Sequence, residues 1–473
     1  MVVIKVGDFA TSDSPENIRR SPAEKPIRSF LSIFRHRFLK GIIKILIVQG
    51  QLNYEKVFEV LFYECMLAIV STCVYHRIIS LSEINKRETW KIYIRAALII
   101  FALILIFMTH FSYIFYYLPL PPEFLLAEIC FLAFGIYLHF VVFLFLLFLI
   151  ECVASILIYI FQKWIPSMHF TLPYLNTPLL SSKTLQTLMA LILGIALTAQ
   201  GYIATRIEPT VKHLNLLIQD LPLEFHGFTI AFVSDIHTGP TVGKAKVAQI
   251  VQIINDLNPD IITVVGDLSD GYISYIGDRL KPLKNLKAKH GKFGVLGNHE
   301  YFYENADDWI KFYEKELNLT MFINDGKVFE RNGKKLCLAG LDDYYTEGAR
   351  FIGHKMNTTK AIKNCSPKIP TIILAHQPKG AAKVLKDLSK LGRRADVILS
   401  GHTHGGQLVV VYPIGVALVD YFFGLYLHRE SNTQIYVSSG VNYWGPPVKM
   451  WPTLCEIVKI KLLSNLKNDN KNI

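Results

Sequence analysis

No Cys-x-x-Cys pair occurs in the 473 residues. The seven cysteines stand apart at 65, 73, 130, 152, 337, 365 and 455, so zinc binding or redox work of that spacing is excluded, and the compartment is left open. Charge is scarce as well: 19% of residues are charged against 51% hydrophobic, with a mean hydropathy of +0.31. That exceeds what a soluble globular chain usually carries, and 473 residues are too many for one compact core, so part of the chain is expected in lipid. Also missing is the apolar core of a secretory signal after the basic first forty residues, so no cleaved signal is expected. The net charge of +12 includes Arg19, Arg20, Lys25, Arg28, Arg35, Arg37 and Lys40 beside apolar segments, without interleaved aromatic base-stacking motifs. This suits a membrane flank, and no nucleic-acid partner is expected.

Two stretches lack Lys, Arg, Asp and Glu altogether: Ala96–Ile114 and Ile129–Ile150. Each reaches the roughly 20 residues that span a bilayer. Thr184–Ala204 reads as a further span. Val57–Tyr75 is ambiguous, because Glu59 and Glu64 lie inside it and an intramembrane carboxylate is costly without a partner. It is either a span or an interfacial helix. His110 and His139, within the spans, read as polar contacts between helices.

Residues 1–56 hold ten Lys/Arg and 76–95 hold five, whereas 96–162 hold none. Both basic stretches are cytoplasmic only if Val57–Tyr75 fails to span. Three spans then put everything after Ala204 outside the cytosol, and four return it. Sequons at Asn318, Asn357 and Asn364 lean towards the extracytosolic or lumenal side. The expected organisation is a basic segment 1–56, a multi-pass α-helical region 57–204 with three or four spans, a linker 205–223, an α/β domain 224–461 and a polar tail 462–473.

After Ala204 apolar runs of four to eight residues alternate with amphipathic stretches and turns, the pattern of an α/β domain. "FTIAFVSDIH", "PDIITVVGDLSD", "GKFGVLGNHE", "TIILAHQP" and "ADVILSGHTHGGQ" each run apolar and then deliver Asp, Asn or His. Open α/β sheets place ligands at such carboxyl ends. The residues delivered are Asp235, His237, Asp267, Asn298, His299, His376, His402 and His404. Mixed oxygen and imidazole donors without thiolate suit manganese, iron or zinc, and they are too many for one four-coordinate site. Two divalent ions sharing a carboxylate would use them all, about 3.5–4 Å apart and clamping the oxygens of a phosphoryl group. Gly266, Gly297, Gly401, Gly405 and Gly406 are expected to permit sharp turns and close backbone approach. Asp270 reads as a structural cap of the loop after Asp267.

In order and context, "SDIH", "GDLSD", "GNHE", the histidine of "LAHQP" and "GHTH" resemble the blocks of the calcineurin-like metallophosphoesterase superfamily, over roughly Phe228 to Lys459. The resemblance implies a fold of two packed β-sheets flanked by helices. It implies one ion on Asp235, His237 and His404, a second on Asn298, His376 and His402, and Asp267 bridging them. His299 is implied as the acid that protonates the leaving oxygen or steadies the phosphoryl group. Lys449 departs from the pattern, standing where relatives often have Arg.

A membrane-anchored phosphomonoesterase or phosphodiesterase is therefore expected. The alternative is a silent receptor or scaffold, which usually loses a ligand, whereas every position here is filled. A linker of 205–223, even extended at ~3.3 Å per residue, keeps the centre near the bilayer, so a phospholipid or lipid-linked phosphoester is an expected substrate. Tyr421, Phe422, Phe423, Tyr443 and Trp444 are candidates for reaching the interface.

Overall fold

The computed structural model describes residues 54–80, 89–121, 124–164, 182–303, 305–348 and 351–465. Most of the basic segment 1–56, the cationic residues between 81 and 88, and most of the tail 462–473 lie outside the described residues. The chain divides into two compact units, Met1–Cys65 and Met66–Ile473, and every element considered below from the second helix onward belongs to the second.

Among the described residues four helices come first: α1 Tyr54–Ser80, α2 Thr89–Ser112, α3 Leu125–Trp164 and α4 Lys183–Arg206. Among the described residues, Ala96–Tyr117, Leu125–Trp164 and Lys183–Arg206 are long and apolar enough to cross a membrane. The ambiguous Val57–Tyr75 stretch lies in α1, whose sequence carries Glu55, Lys56, Glu59, Glu64 and Arg77 and is not among the three. α3 has 40 residues. At ~1.5 Å per residue it is about 60 Å long, twice a hydrocarbon core, so a part of it must project beyond the lipid.

Small residues let α3 and α4 approach closely, since a Cβ on Gly194 would sit 3.2 Å from Ile136 O and 3.3 Å from Phe140 N. His139 Nδ1 lies 3.1 Å from Thr198 Oγ1 across this pair, and His110 Nε2 lies 3.1 Å from Ser71 Oγ. Both histidines thus make the polar contacts between helices that their positions suggested.

The 205–223 linker is shorter than expected. Only Ile207–Pro209 separate α4 from β1, Thr210–Ile218, which pairs in parallel with the last strand, β12 (Glu456–Ser464). The remaining strands are β2 Thr229–Val233, β3 Ile261–Val265, β4 Lys292–Val295, β5 Thr320–Met321, β6 Asp325–Arg331, β7 Lys334–Gly340, β8 Thr371–Leu374, β9 Val397–Ser400, β10 Gly424–His428 and β11 Thr433–Val437. They form two six-stranded mixed sheets, ordered β1-β12-β2-β3-β4-β5 and β10-β11-β9-β8-β7-β6. The helices of the domain are α5 Lys244–Asp256, α6 Ile273–Leu280, α7 Glu300–Tyr303, α8 Ala306–Leu317, α9 Thr358–Ala361, α10 Pro378–Lys390 and α11 Tyr412–Leu418.

Strand period explains the layering. In β2, Ile230 and Phe232 join Phe293, Leu374, Leu399 and Tyr436 between the sheets, while Ala231 and Val233 face α5 and α8 through Val247, Ile250 and Trp309. The second sheet packs its outer face on α10 through Ile373, Ile398, Val384 and Leu388. With both faces covered, the central strands read as continuous apolar runs, and polarity appears only where they end.

The domain rests on the helical bundle. A Cβ on Gly135 of α3 would meet Pro446 at 3.3 Å and Val448 at 3.4 Å. Arg279 donates to Leu120 O at 2.7 Å, and Gly445 N donates to Tyr116 Oη at 3.1 Å.

Candidate metal centre

Each chemistry-bearing residue follows a strand. Asp235 and Asp267 come two residues after β2 and β3, Asn298 and His299 follow β4, His376 follows β8, and His402 and His404 follow β9. At five of the candidate residues the chain turns through an unusual backbone conformation. Asp235 (φ 57°), His237 (φ 47°), Asp267 (φ 53°), His402 (φ 70°) and His404 (φ 52°) all lie in the left-handed region. Such conformations cost about 1–3 kcal/mol each and persist where the surroundings over-determine them. Gly297 and Gly401 serve close approach, since their φ is ordinary but a Cβ would collide with the carboxylates of Asp267 and Asp235 respectively.

The donors converge in three groups: Asp235, His237 and His404; Asp267, His376 and His402; and His237, Asp270 and His299. In the first, the Nε2 atoms of His237 and His404 are 2.9 Å apart, and Asp235 Oδ1 lies 3.9 and 3.6 Å from them. Two donors each about 2.0–2.1 Å from one cation stand roughly 3 Å apart at a right angle, so this spacing fits a shared ion. In the second, His376 Nε2 is 3.0 Å from Asp267 Oδ2 yet lacks the alignment of a hydrogen bond. Asn298 Oδ1 and His376 Nε2 are buried with no hydrogen-bond partner. Orphaned oxygen and imidazole donors such as these are the chemistry of a divalent-cation site.

The remaining polar atoms are tied down. Asp235 Oδ1 accepts the His402 amide and Asp267 Oδ1 the His299 amide, both at 2.9 Å, so each carboxylate fixes the loop carrying another candidate ligand. His376 Nδ1 donates to Val265 O at 2.8 Å, which directs Nε2 inward.

Asp270 does more than cap a loop. Its Oδ1 lies 3.1 Å from His237 Nδ1 and 2.5 Å from His299 Nδ1, orienting a candidate ligand and the candidate acid together. Asp270→Asn is expected to lower metal affinity or turnover by roughly 10–100-fold while the fold stays intact, as outer partners of metal-bound histidines do. Metal titration and rates on the full chain check this, and unchanged values would return Asp270 to a purely structural role.

Electrostatics separates the histidines. Burial lowers His299, but Asp267 and Asp270 outweigh it and carry the imidazole up to about 9, so it holds a proton at neutral pH. A bound dication would offset Asp267 and draw this value back. Burial and the neighbouring His376 push His402 down to about 3, leaving a neutral imidazole lone pair. Burial raises Asp267, yet His376, His299 and His237 together hold its carboxyl well below the usual range.

Sequence reading passed over Glu300. Fully buried, it accepts the amides of Gly297, Asp267, Leu268 and Ser269 and the Tyr313 hydroxyl, binding the Asp267 and Asn298 loops to each other. The signal was present in "GNHE" and was spent on its first three letters. Lys449, the departure from the resembled pattern, is fully buried and donates to His404 O at 3.1 Å and to Ser439 O, so its ammonium faces backbone carbonyls. Phe422 and Tyr443 are buried too, which removes them from any interface. Trp444 stays partly exposed with its ring 5.5 Å from that of His299.

The calcineurin-like phosphoesterase family matches residues 228–406. A Caenorhabditis elegans protein bearing the name metallophosphoesterase F40B5.2 is 38% identical over 366 residues, 76% of this chain and 72% of its own length. The Danio rerio transmembrane protein with metallophosphoesterase domain is 34% identical over 269 residues, 56% of this chain and 60% of that protein. A Helicobacter pylori uncharacterized metallophosphoesterase is 34% identical over 264 residues, 56% of this chain and 66% of that protein. Set beside donors converging from five strand ends on paired sheets, these likenesses place the chain in the calcineurin-like metallophosphoesterase family, with three helices among the described residues long and apolar enough to cross a bilayer ahead of its α/β domain.

Proposed function

We propose that the chain is a dinuclear-metal enzyme hydrolysing a phosphomonoester or phosphodiester. Asp235, His237 and His404 would hold one ion, Asn298, His376 and His402 the other, and Asp267 both. One observation carries this reading: Asp267 Oδ2 lies 3.0 Å from His376 Nε2, 3.7 Å from His237 Nε2 and 3.9 Å from His299 Nε2, so one oxygen faces both donor groups and the acid. When bound, manganese, iron or zinc supplies Lewis acidity that activates water and stabilises the charge of an in-line displacement.

The protein's own contribution is position and protons. Asp270 fixes His299 through Nδ1, leaving Nε2 to donate its proton to the departing oxygen. The Trp444 ring stands 5.5 Å from that of His299 at a steep angle and flanks the imidazole. The full-length chain, assayed with manganese or zinc on a phosphomonoester, a phosphodiester and a phospholipid, is expected to hydrolyse at least one in a chelator-sensitive way. Two bound ions with no turnover on any of them would favour the silent scaffold.

We also propose that the domain lies outside the cytosol. Cys337 on β7 and Cys365 form a disulfide with Cα atoms 5.7 Å apart, and such bonds persist in oxidising compartments. The Asn318 sequon is exposed at the end of α8. Expression in animal cells should give a mobility shift on deglycosylation that Asn318→Gln reduces, with no free thiol at Cys337 until reduction. An unglycosylated protein with a freely alkylated Cys337 would place the domain in the cytosol.

A further inference from the structure

Immediately after His402 and His404, the thirteen residues Gln407–Val419 carry no charge. They include α11, none of whose residues is buried, and the chain displays aliphatic side chains there: Val409 is 41% exposed, Ile414 56%, Val416 55% and Leu418 76%. A helix bathed in water would carry charged groups on its outer face, and a patch like this marks a binding surface.

The root of the segment shows what covers it. Leu408 is buried with Val448 and Met450 against Leu138 of α3, Leu197 of α4 and Val410. Leu197 lies nine residues before Arg206, the basic end of α4, or about 13 Å along the helix axis. The segment therefore leaves the domain alongside the membrane helices, at a depth measured inward from their charged end. On α4, Leu193 lies one turn from Leu197 on the same face and is exposed. Trp451, 77% exposed next to Met450, supplies the aromatic ring that favours a head-group boundary.

We propose that Gln407–Val419 is a bilayer-inserted element that holds the His402–His404 edge of the metal centre at head-group level, so that the phosphoester of a lipid head group is the substrate class. The occupant is the bilayer because the segment is rooted on α3 and α4, two of the helices long and apolar enough to cross a membrane. The substrate half rests on the phosphoesterase reading, and the insertion half does not.

The test uses full-length protein in phosphatidylcholine vesicles. Leu418→Trp is made, and its added fluorescence is measured with plain and with chain-brominated lipid. Strong quenching by bromine is expected, and emission equal in both lipids would overturn insertion and leave a protein partner or a second copy as the occupant. The triple variant Ile414→Ser, Val416→Ser, Leu418→Ser is then assayed on a phosphodiester lipid and on a water-soluble nitrophenyl phosphodiester. Loss of local substrate concentration should cut the lipid rate by at least about tenfold and leave the soluble rate unchanged. Equal losses on both would overturn the lipid-substrate half. Quenching without hydrolysis of either diester, or of a nitrophenyl phosphomonoester, by the parent protein would support insertion and refute the phosphoesterase reading.

Discussion

Asp267→Asn is expected to lose both metal ions and more than about 100-fold in turnover, exceeding the 10–100-fold typical of a partner outside the ligand set. The substitution keeps an oxygen for the His299 amide, so the loops should stand and thermal unfolding should stay cooperative. What disappears is the charged Oδ2 that faces His376, His237 and His299 together. His237→Ala should differ in kind, weakening the ion near His404 more than the one near His376. Metal analysis separates the cases. Two ions per chain retained in Asp267→Asn would overturn the assignment of this carboxylate as the bridge.

His299→Ala should retain its metals and lose rate by roughly 10²–10⁴-fold, the contribution of a well-placed general acid. Its backbone amide still donates to Asp267, and Asp270 still holds His237, so the ligand frame survives the truncation. The loss should concentrate on esters with poor leaving groups, because a nitrophenolate departs without a proton. A pair of substrates, one alkyl and one nitrophenyl, makes the comparison internal to the variant. Equal losses on both would make His299 a positioning group for the phosphoryl oxygens.

The strand ends were legible because a buried parallel strand has no other place for a polar side chain. Asp235, Asp267, His376 and His402 each stand two residues past an apolar run, and the structure brings them together. β1 was not legible. Its burial alternates weakly, it follows a membrane helix, and its partner β12 comes from the far end of the chain, so no local pattern signals the pairing. The tasks of Asp270, Glu300 and Lys449 were not legible for one shared reason: spacing shows where a polar residue sits, whereas its task depends on atoms brought near by folding. Glu300 finds backbone amides, Lys449 finds carbonyls beneath His404, and Asp270 finds two imidazoles. Aromatic content also misled, since Phe422 and Tyr443 are core while plain aliphatics between Val409 and Leu418 face outward.

The account turns on two ions meeting at Asp267. Anomalous diffraction from crystals of the full-length protein grown with manganese tests that claim most directly. Two peaks about 3.5–4 Å apart are predicted, one beside His237 and His404, the other beside Asn298, His376 and His402, with Asp267 between them. A single peak, or a pair that leaves Asp267 outside, would contradict it.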